Sequence, residues 1–217
     1  MHLKENGPKN LRKNRKNKRF IYLISPNEIK EEEFYSNLNQ VLSSKKVKYF
    51  QLRLKKESLK KQIYIGKKIK KICKKHKVKF LINDEPIIAK ALDAEGCHLG
   101  QKDMNIVKAR QLLKNKIIGV TCHNSINLAK KAIKDGADYL AFGAFYSSKT
   151  KKVKYKANIN LIKKLKKLSD IPVVAIGGIN NINYKKLLLN KADFLAISGY
   201  IWNNKKLKPL ETVEKLK

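Results

Sequence analysis

From residue 20 onward, apolar runs of five or six residues alternate with longer segments whose apolar positions recur at helical spacing. The strand-like runs fall at 20–24, 47–52, 78–82, 95–99, 117–121, 139–143, 172–177 and 194–198, eight in all. In the helical segment 58–76, Ile65, Ile69, Ile72 and Cys73 stand at i, i+4, i+7 and i+8, which is one helix face. Val47-Lys48-Tyr49-Phe50-Gln51 and Val173-Val174-Ala175-Ile176 read as strands of a covered parallel sheet rather than a half-wet antiparallel one. Eight β–α alternations in about 200 residues point to an α/β fold, a (β/α)8 TIM barrel. An open doubly wound sheet would carry a Gly-rich nucleotide loop after its first strand. Ser25-Pro26-Asn27 stands there instead.

Composition changes this picture at one end only. The chain has 217 residues and a formal net charge of +34. Residues 1–19 carry eight Lys/Arg against one acid and no apolar periodicity, so they are expected to form a disordered basic arm before a barrel spanning 20–217. The remaining +27 is spread over the barrel as Lys-Lys pairs on nearly every helix, which favours a solvated surface over a dedicated nucleic-acid face. Cys73, Cys97 and Cys122 form no CxxC pair, as in a reduced, cytoplasmic protein. No apolar run approaches the roughly 18 residues of a membrane span, and the N-terminus lacks the apolar core of a secretory signal.

In a barrel, chemistry gathers at the C-terminal ends of the strands. The third run ends in Asn83-Asp84, and the fourth leads into Gly100-Gln101-Lys102-Asp103. As parallel neighbours these would set two carboxylates on one rim, a magnesium site completed by a substrate's phosphates. The competing reading makes Asp84 and Asp103 caps of the helices that follow. In Gln51-Leu52-Arg53-Leu54-Lys55 the alternation puts Gln51, Arg53 and Lys55 on one side. Such a trio suits a phosphate, with Arg as a fork and Lys as a point charge, although Lys55 is equally at home in solvent. Cys97-His98 and Cys122-His123 match no zinc spacing, and adjacent strand residues face opposite ways, so zinc is set aside. The loop 143–152 is long and rich in hydroxyls and ammonium groups, either a phosphate-wrapping lid or a plain basic loop. Gly177-Gly178 after the seventh run are expected to open a helix and expose backbone N–H groups to an anion.

Taken in order, these residues resemble the thiamin phosphate synthase family. The resemblance rests on Gln51-x-Arg53-x-Lys55, Ile82-Asn83-Asp84, His98-Leu99-Gly100-Gln101-x-Asp103, Gly119-Val120, Gly136-Ala137-Asp138-Tyr139, Gly143, Thr150-Lys151 and Ala175-Ile176-Gly177-Gly178-Ile179. It implies an enzyme that joins hydroxymethylpyrimidine diphosphate to a thiazole phosphate, releasing diphosphate. It also implies Mg2+ on Asp84 and Asp103, and diphosphate on Arg53, Lys55, Asn83 and Lys151. Gln51 and Thr121 would face the pyrimidine. Gly177 and Gly178, with Thr150 and Ser148 nearby, would take the thiazole phosphate. The family usually has Ser at Thr121, Pro at Ala144 and Thr at Ser148. Its phosphate-binding serine aligns with Gly199, so that Ser198 is one position early and the backbone N–H groups of Ser198 and Gly199 are expected to serve. The related thiazole tautomerase, with a histidine at His123, is the nearest alternative. That family lacks the Gln101-x-Asp103 acid and the glutamine at Gln51. A non-catalytic phosphate- or RNA-binding barrel is the alternative from another class.

Overall fold

The computed structural model describes residues 19–147 and 153–217. Its strands are β1 (Ile21–Ile24), β2 (Val47–Leu52), β3 (Lys79–Asn83), β4 (Gly96–Leu99), β5 (Ile117–His123), β6 (Tyr139–Gly143), β7 (Val173–Ile176) and β8 (Phe194–Ile197). All pair in parallel in chain order, and β8 pairs back to β1, closing a barrel as the alternation predicts. The helices among the described residues are α1 (Glu31–Ser43), α2 (Leu59–Lys75), α3 (Pro86–Ala91), α4 (Ile106–Leu113), α5 (Ile126–Lys134), α6 (Ile159–Leu168), α7 (Tyr184–Leu189), α8 (Gly199–Trp202) and α9 (Pro209–Glu214). No described helix is long and apolar enough to cross a membrane.

The period-two alternation sorts side chains into two cores. Outward positions such as Leu23, Phe50, Phe80 and Phe142 pack under the helices. Inward positions, including Tyr22, Tyr49, Leu81, Tyr139, Val174 and Ala196, fill the barrel itself. Helix α2 shows how the shell is attached. Ser58 caps it by accepting from the Lys61 amide, and Ile65, Ile69 and Cys73 are buried on its inner face. Truncating fully buried Ile69 to Ala would cost about 2–5 kcal/mol, because the strands beneath cannot collapse into the gap.

Arg19, placed with the arm by composition, donates to the backbone carbonyls of His76 and Lys77 at 3.3 and 2.9 Å. Its guanidinium thus pins the chain to the α2–β3 turn. The rest of the expected arm, residues 1–18, lies outside the described residues. Strand β5 runs two residues further than its apolar pattern suggests. Thr121 pairs with Ala141 and His123 with Phe142, so Cys122 is an extra, bulged residue.

Candidate active site

Register brings distant residues into one row. Asn83 lies opposite His98, His98 opposite Gly119, and Gly119 opposite Tyr139, across four consecutive strands. A Cβ on Gly119 would fall 1.8 Å from Tyr139 Cζ, so only glycine leaves room for that phenol inside the barrel. Tyr139 therefore lies nearly parallel to His98, with ring centroids 5.6 Å apart. Its hydroxyl is 2.9 Å from His98 Nδ1 and 2.7 Å from the Tyr22 hydroxyl. His98 Nε2 is 2.8 Å from Thr121 Oγ1. Burial drives the His98 pKa down from 6.5 to about 4, so the imidazole is neutral at pH 7.

Above this layer, the β2–β4 side of the mouth is polar. Asp84 sits at φ 64°, a left-handed conformation that Asp enters more readily than most residues, and its amide donates to the His98 carbonyl. Its carboxylate pairs with Lys55, Nζ to Oδ2 2.6 Å. Asp103 Oδ2 accepts from the Gly100 amide at 2.6 Å. Neither aspartate caps a helix. The residue before α3 is Glu85, without a side-chain cap, and α4 is capped by Asn105. The capping alternative is thereby removed. The two carboxyls instead interact with each other. Burial works to raise Asp84, but the Lys55 ammonium and a hydrogen bond with Asp103 outweigh it and hold Asp84 below 3.8. Asp103 moves the other way, raised by burial and then by Asp84. Two acids that disfavour simultaneous ionisation form a site that a divalent cation would relieve.

Gln51 is 2 % exposed. Its Nε2 is the buried side-chain polar atom without a hydrogen-bond partner among the described residues. A donor buried this way costs about 1–3 kcal/mol until something accepts from it. Arg53 leans across the rim, its guanidinium donating to Asn27 Oδ1 at 3.0 Å. Gln101 Nε2 donates to the Thr121 carbonyl, tying the loop after β4 to β5.

The β6–β8 side is shaped by backbone. Gly177 and Gly178 have φ 106° and 61°. A Cβ on Gly177 would lie 2.3 Å from Ala144 Cβ, and one on Gly178 would lie 2.2 Å from the Ser147 carbonyl oxygen. The segment 144–147 is thus laid directly over the glycines, with Phe145 and Tyr146 amides donating to the Ile176 and Gly177 carbonyls. The expectation that the pair opens a helix is corrected. Asn180 and Asn183 close a polar turn first, and the six-residue α7 starts only at Tyr184. Ser198 Oγ donates to the Ser25 carbonyl at 3.0 Å, so its hydroxyl is engaged in joining β8 to β1. Beside it a hollow of about 280 Å3 is lined by Pro26, Asn27, Glu28, Ser198 and Asn203. Gly199 begins α8. Ser148, Thr150 and Lys151 lie outside the described residues.

A family model described as thiamine monophosphate synthase matches residues 21–201. The chain belongs to the thiamine monophosphate synthase family. Among relatives, a thiamine-phosphate synthase of Pelagibacter ubique is 70% identical, over 95% of this chain and 100% of that relative. One from Nitrosomonas eutropha is 42% identical over 72% of this chain and 74% of its own length. Among solved structures, a thiamine phosphate pyrophosphorylase from Pyrococcus furiosus superposes with a TM-score of 0.81 at 28% identity, covering 92% of this chain and 94% of the other. A 3-hexulose-6-phosphate synthase from Salmonella typhimurium, at 16% identity and TM-score 0.67 over 90% and 96%, shares the fold alone.

The layer beneath the rim residues comes from the structure alone. Sequence reasoning singled out Thr121 but gave no site role to Tyr22 or to Tyr139, the phenols that connect to it through His98. The signal was present as Gly119 and Tyr139, two residues at inward positions. Only the register shows that one makes room for the other. A separate groove of about 590 Å3 between the β5–α5 loop and α6 is lined by Asn124, Lys156, Lys163, Lys164, Lys167 and neighbours. None of the predicted site residues lines it.

Proposed function

We propose that this transferase couples hydroxymethylpyrimidine diphosphate to hydroxyethylthiazole phosphate, giving thiamin phosphate and diphosphate, as the names of its relatives imply. The observation that carries the reading is the facing Asp84–Asp103 pair with Lys55 beside it. Among the described residues no three His, Cys, Asp or Glu side chains are grouped to hold a metal. The pair does fit Mg2+, because both donors are hard oxygens and a diphosphate brings the remaining ones. When bound, the metal would supply positive charge to the oxygens of the leaving diphosphate.

The chain's own residues do the rest. Arg53 and Lys55 stand on the rim at the diphosphate end with Asn83, and in this reading they stabilise charge developing as the C–O bond breaks; Lys151, given the same role by the resemblance, lies outside the described residues. Lys55, paired with Asp84 through its ammonium, is the point charge that would serve the diphosphate oxygens in this reading. The pyrimidine lies over Gln51 and Thr121, giving the unpaired Gln51 Nε2 its acceptor. Ser148 and Thr150, which the resemblance also assigns to the thiazole phosphate, lie outside the described residues; that phosphate settles over Gly177, Gly178 and the Ser198–Gly199 backbone. This sets the thiazole nitrogen facing the pyrimidine methylene. That nitrogen carries its own lone pair, so no protein base is required. The buried free thiols of Cys73, Cys97 and Cys122 suit a reducing cytoplasm.

The test is diphosphate release from the two substrates while Mg2+ is titrated. Release that needs both substrates and saturates with magnesium supports the reading. Turnover of the thiazole alone, without diphosphate, would favour the tautomerase.

A further inference from the structure

Four polar groups run from the dry centre of the barrel to its mouth: Tyr22, Tyr139, His98 and Thr121, linked at 2.7, 2.9 and 2.8 Å. Each link has one hydrogen to share, so the chain has a direction. A neutral imidazole has one N–H and one lone pair. Burial pushes the Tyr22 and Tyr139 phenols up, so both stay protonated. Two arrangements satisfy the three links with Tyr139 donating along the chain; a third, in which Tyr139 accepts twice, strands its own buried hydrogen. In the inward one, Thr121 donates to Nε2, Nδ1–H donates to Tyr139, and Tyr139 donates to Tyr22. The Tyr22 hydroxyl hydrogen then needs a further acceptor in a pocket of Tyr49, Tyr139 and His98 rings, where Tyr22 is 2 % exposed. Among the described residues its hydroxyl has one hydrogen-bond partner, Tyr139. In the outward one, Tyr22 donates to Tyr139, Tyr139 donates to Nδ1, and Nε2–H donates to Thr121. Every buried hydrogen is then used, and the spare one sits on Thr121 at the half-exposed mouth. A hydrogen left unpaired in the core goes uncompensated for its lost water, and the outward direction avoids it.

We infer that the Tyr22–Tyr139–His98 relay fixes Thr121 as a hydrogen-bond donor toward the ligand, so that the site selects a ring edge presenting an acceptor nitrogen there. Tyr139 and His98 are positioning residues that act through Thr121. Gly119 is what lets the Tyr139 ring into the relay. The ligand half of this inference rests on the pyrimidine site proposed above, whereas the direction of the relay does not.

Long-range 1H–15N correlation on the full 15N-labelled chain reads the tautomer directly, with His98→Gln assigning the resonance among the four histidines. The relay requires the Nε2–H tautomer at pH 7. An Nδ1–H tautomer or a charged ring overturns it. Tyr22→Phe removes only a donor at the inner end and should keep Nε2–H. Tyr139→Phe strips the partner from Nδ1 and should give mixed tautomers. It should also raise KM for the pyrimidine diphosphate on the order of tenfold with little change for the thiazole phosphate. Loss of Nε2–H in Tyr22→Phe, with Tyr139→Phe unchanged, would show that Tyr139 does not set the tautomer and would overturn the relay. For the ligand half, calorimetry compares the pyrimidine diphosphate with its two pyridine analogues, each lacking one ring nitrogen. One analogue should bind on the order of tenfold more weakly to the wild type and equally well to Thr121→Val. If Thr121→Val discriminates as the wild type does, the ligand half falls even where the tautomer is as required.

Discussion

Between β2 and β4 the barrel mouth is furnished with side chains, whereas between β6 and β8 it is shaped by backbone. On the first side Lys55, Asp84, Asp103 and His98, with Thr121 of the neighbouring β5, hold charges and protons in a fixed arrangement. On the second, Gly177 and Gly178 adopt positive φ beneath segment 144–147, where any side chain would collide. In the proposed reading the difference follows from what each side would hold. A diphosphate that departs would call for cations and a metal whose charge matters most as the bond breaks. A phosphate that stays needs only close approach and N–H donors, and glycine permits that without carrying charge of its own. The first side is accordingly sensitive to pH, and the second is sensitive to volume.

The largest effect expected from this contrast is at Asp84. Asp84→Ala removes a hard oxygen ligand and frees Lys55, and should cut diphosphate release on the order of a thousandfold while leaving thermal unfolding cooperative. Near-normal turnover at saturating Mg2+ would show that the side-chain half does not hold the metal. Next comes acidification. The folded His98 binds a proton less readily than the unfolded chain, whose imidazole titrates near 6.5. The stability tied to the neutral ring is therefore intact above that pH and is lost as pH falls from 6.5 toward 4, by about 3 kcal/mol at most. Urea midpoints at pH 7 and 4.5 should show a steeper fall for the wild type than for His98→Gln. Parallel curves would place the acid sensitivity elsewhere.

On the glycine side, Gly178→Ala introduces a Cβ 2.2 Å from the Ser147 carbonyl oxygen at φ 61°. It should cost about 1–3 kcal/mol of stability and raise KM for the thiazole phosphate, leaving KM for the pyrimidine diphosphate and the pH profile unchanged. Equal changes in both KM values would dissolve the division of the mouth into two halves. The smallest effect is expected at His123, which lies at the seam. Its ring stacks on Tyr155 with centroids 4.2 Å apart. Because the thiazole nitrogen needs no base, His123→Asn should lower kcat/KM tenfold or less, of order 1 kcal/mol. An inactive His123 variant beside an active Asp84 variant would hand the site to proton-shuttle chemistry instead.

Much of this was legible in the chain because it is local. Apolar runs with period two, separated by segments of helical period, specify strands and helices wherever they occur, and eight of them leave few ways to cover a parallel sheet. The side on which Gln51, Arg53 and Lys55 fall follows from alternation alone. So does the turning aside of Ser198, one position before the place where a phosphate-binding hydroxyl would stand.

What the chain could not announce depends on register and on closure of the ring. No spacing within one strand says that Asn83, His98, Gly119 and Tyr139 share a row, because the offset between neighbouring strands is set by the packing of helices around a closed circle of eight. Nor does local sequence decide between Asp84 as a helix cap and Asp84 as half of an acid pair. An N-cap signal and a rim carboxylate are the same residue before an apolar run, and only the fold brings Asp103 alongside. The direction of the relay lies furthest from the sequence. It is decided by where a chain of hydroxyls ends, in a dry core or at an open mouth, and burial is a property of the whole barrel that no single strand possesses.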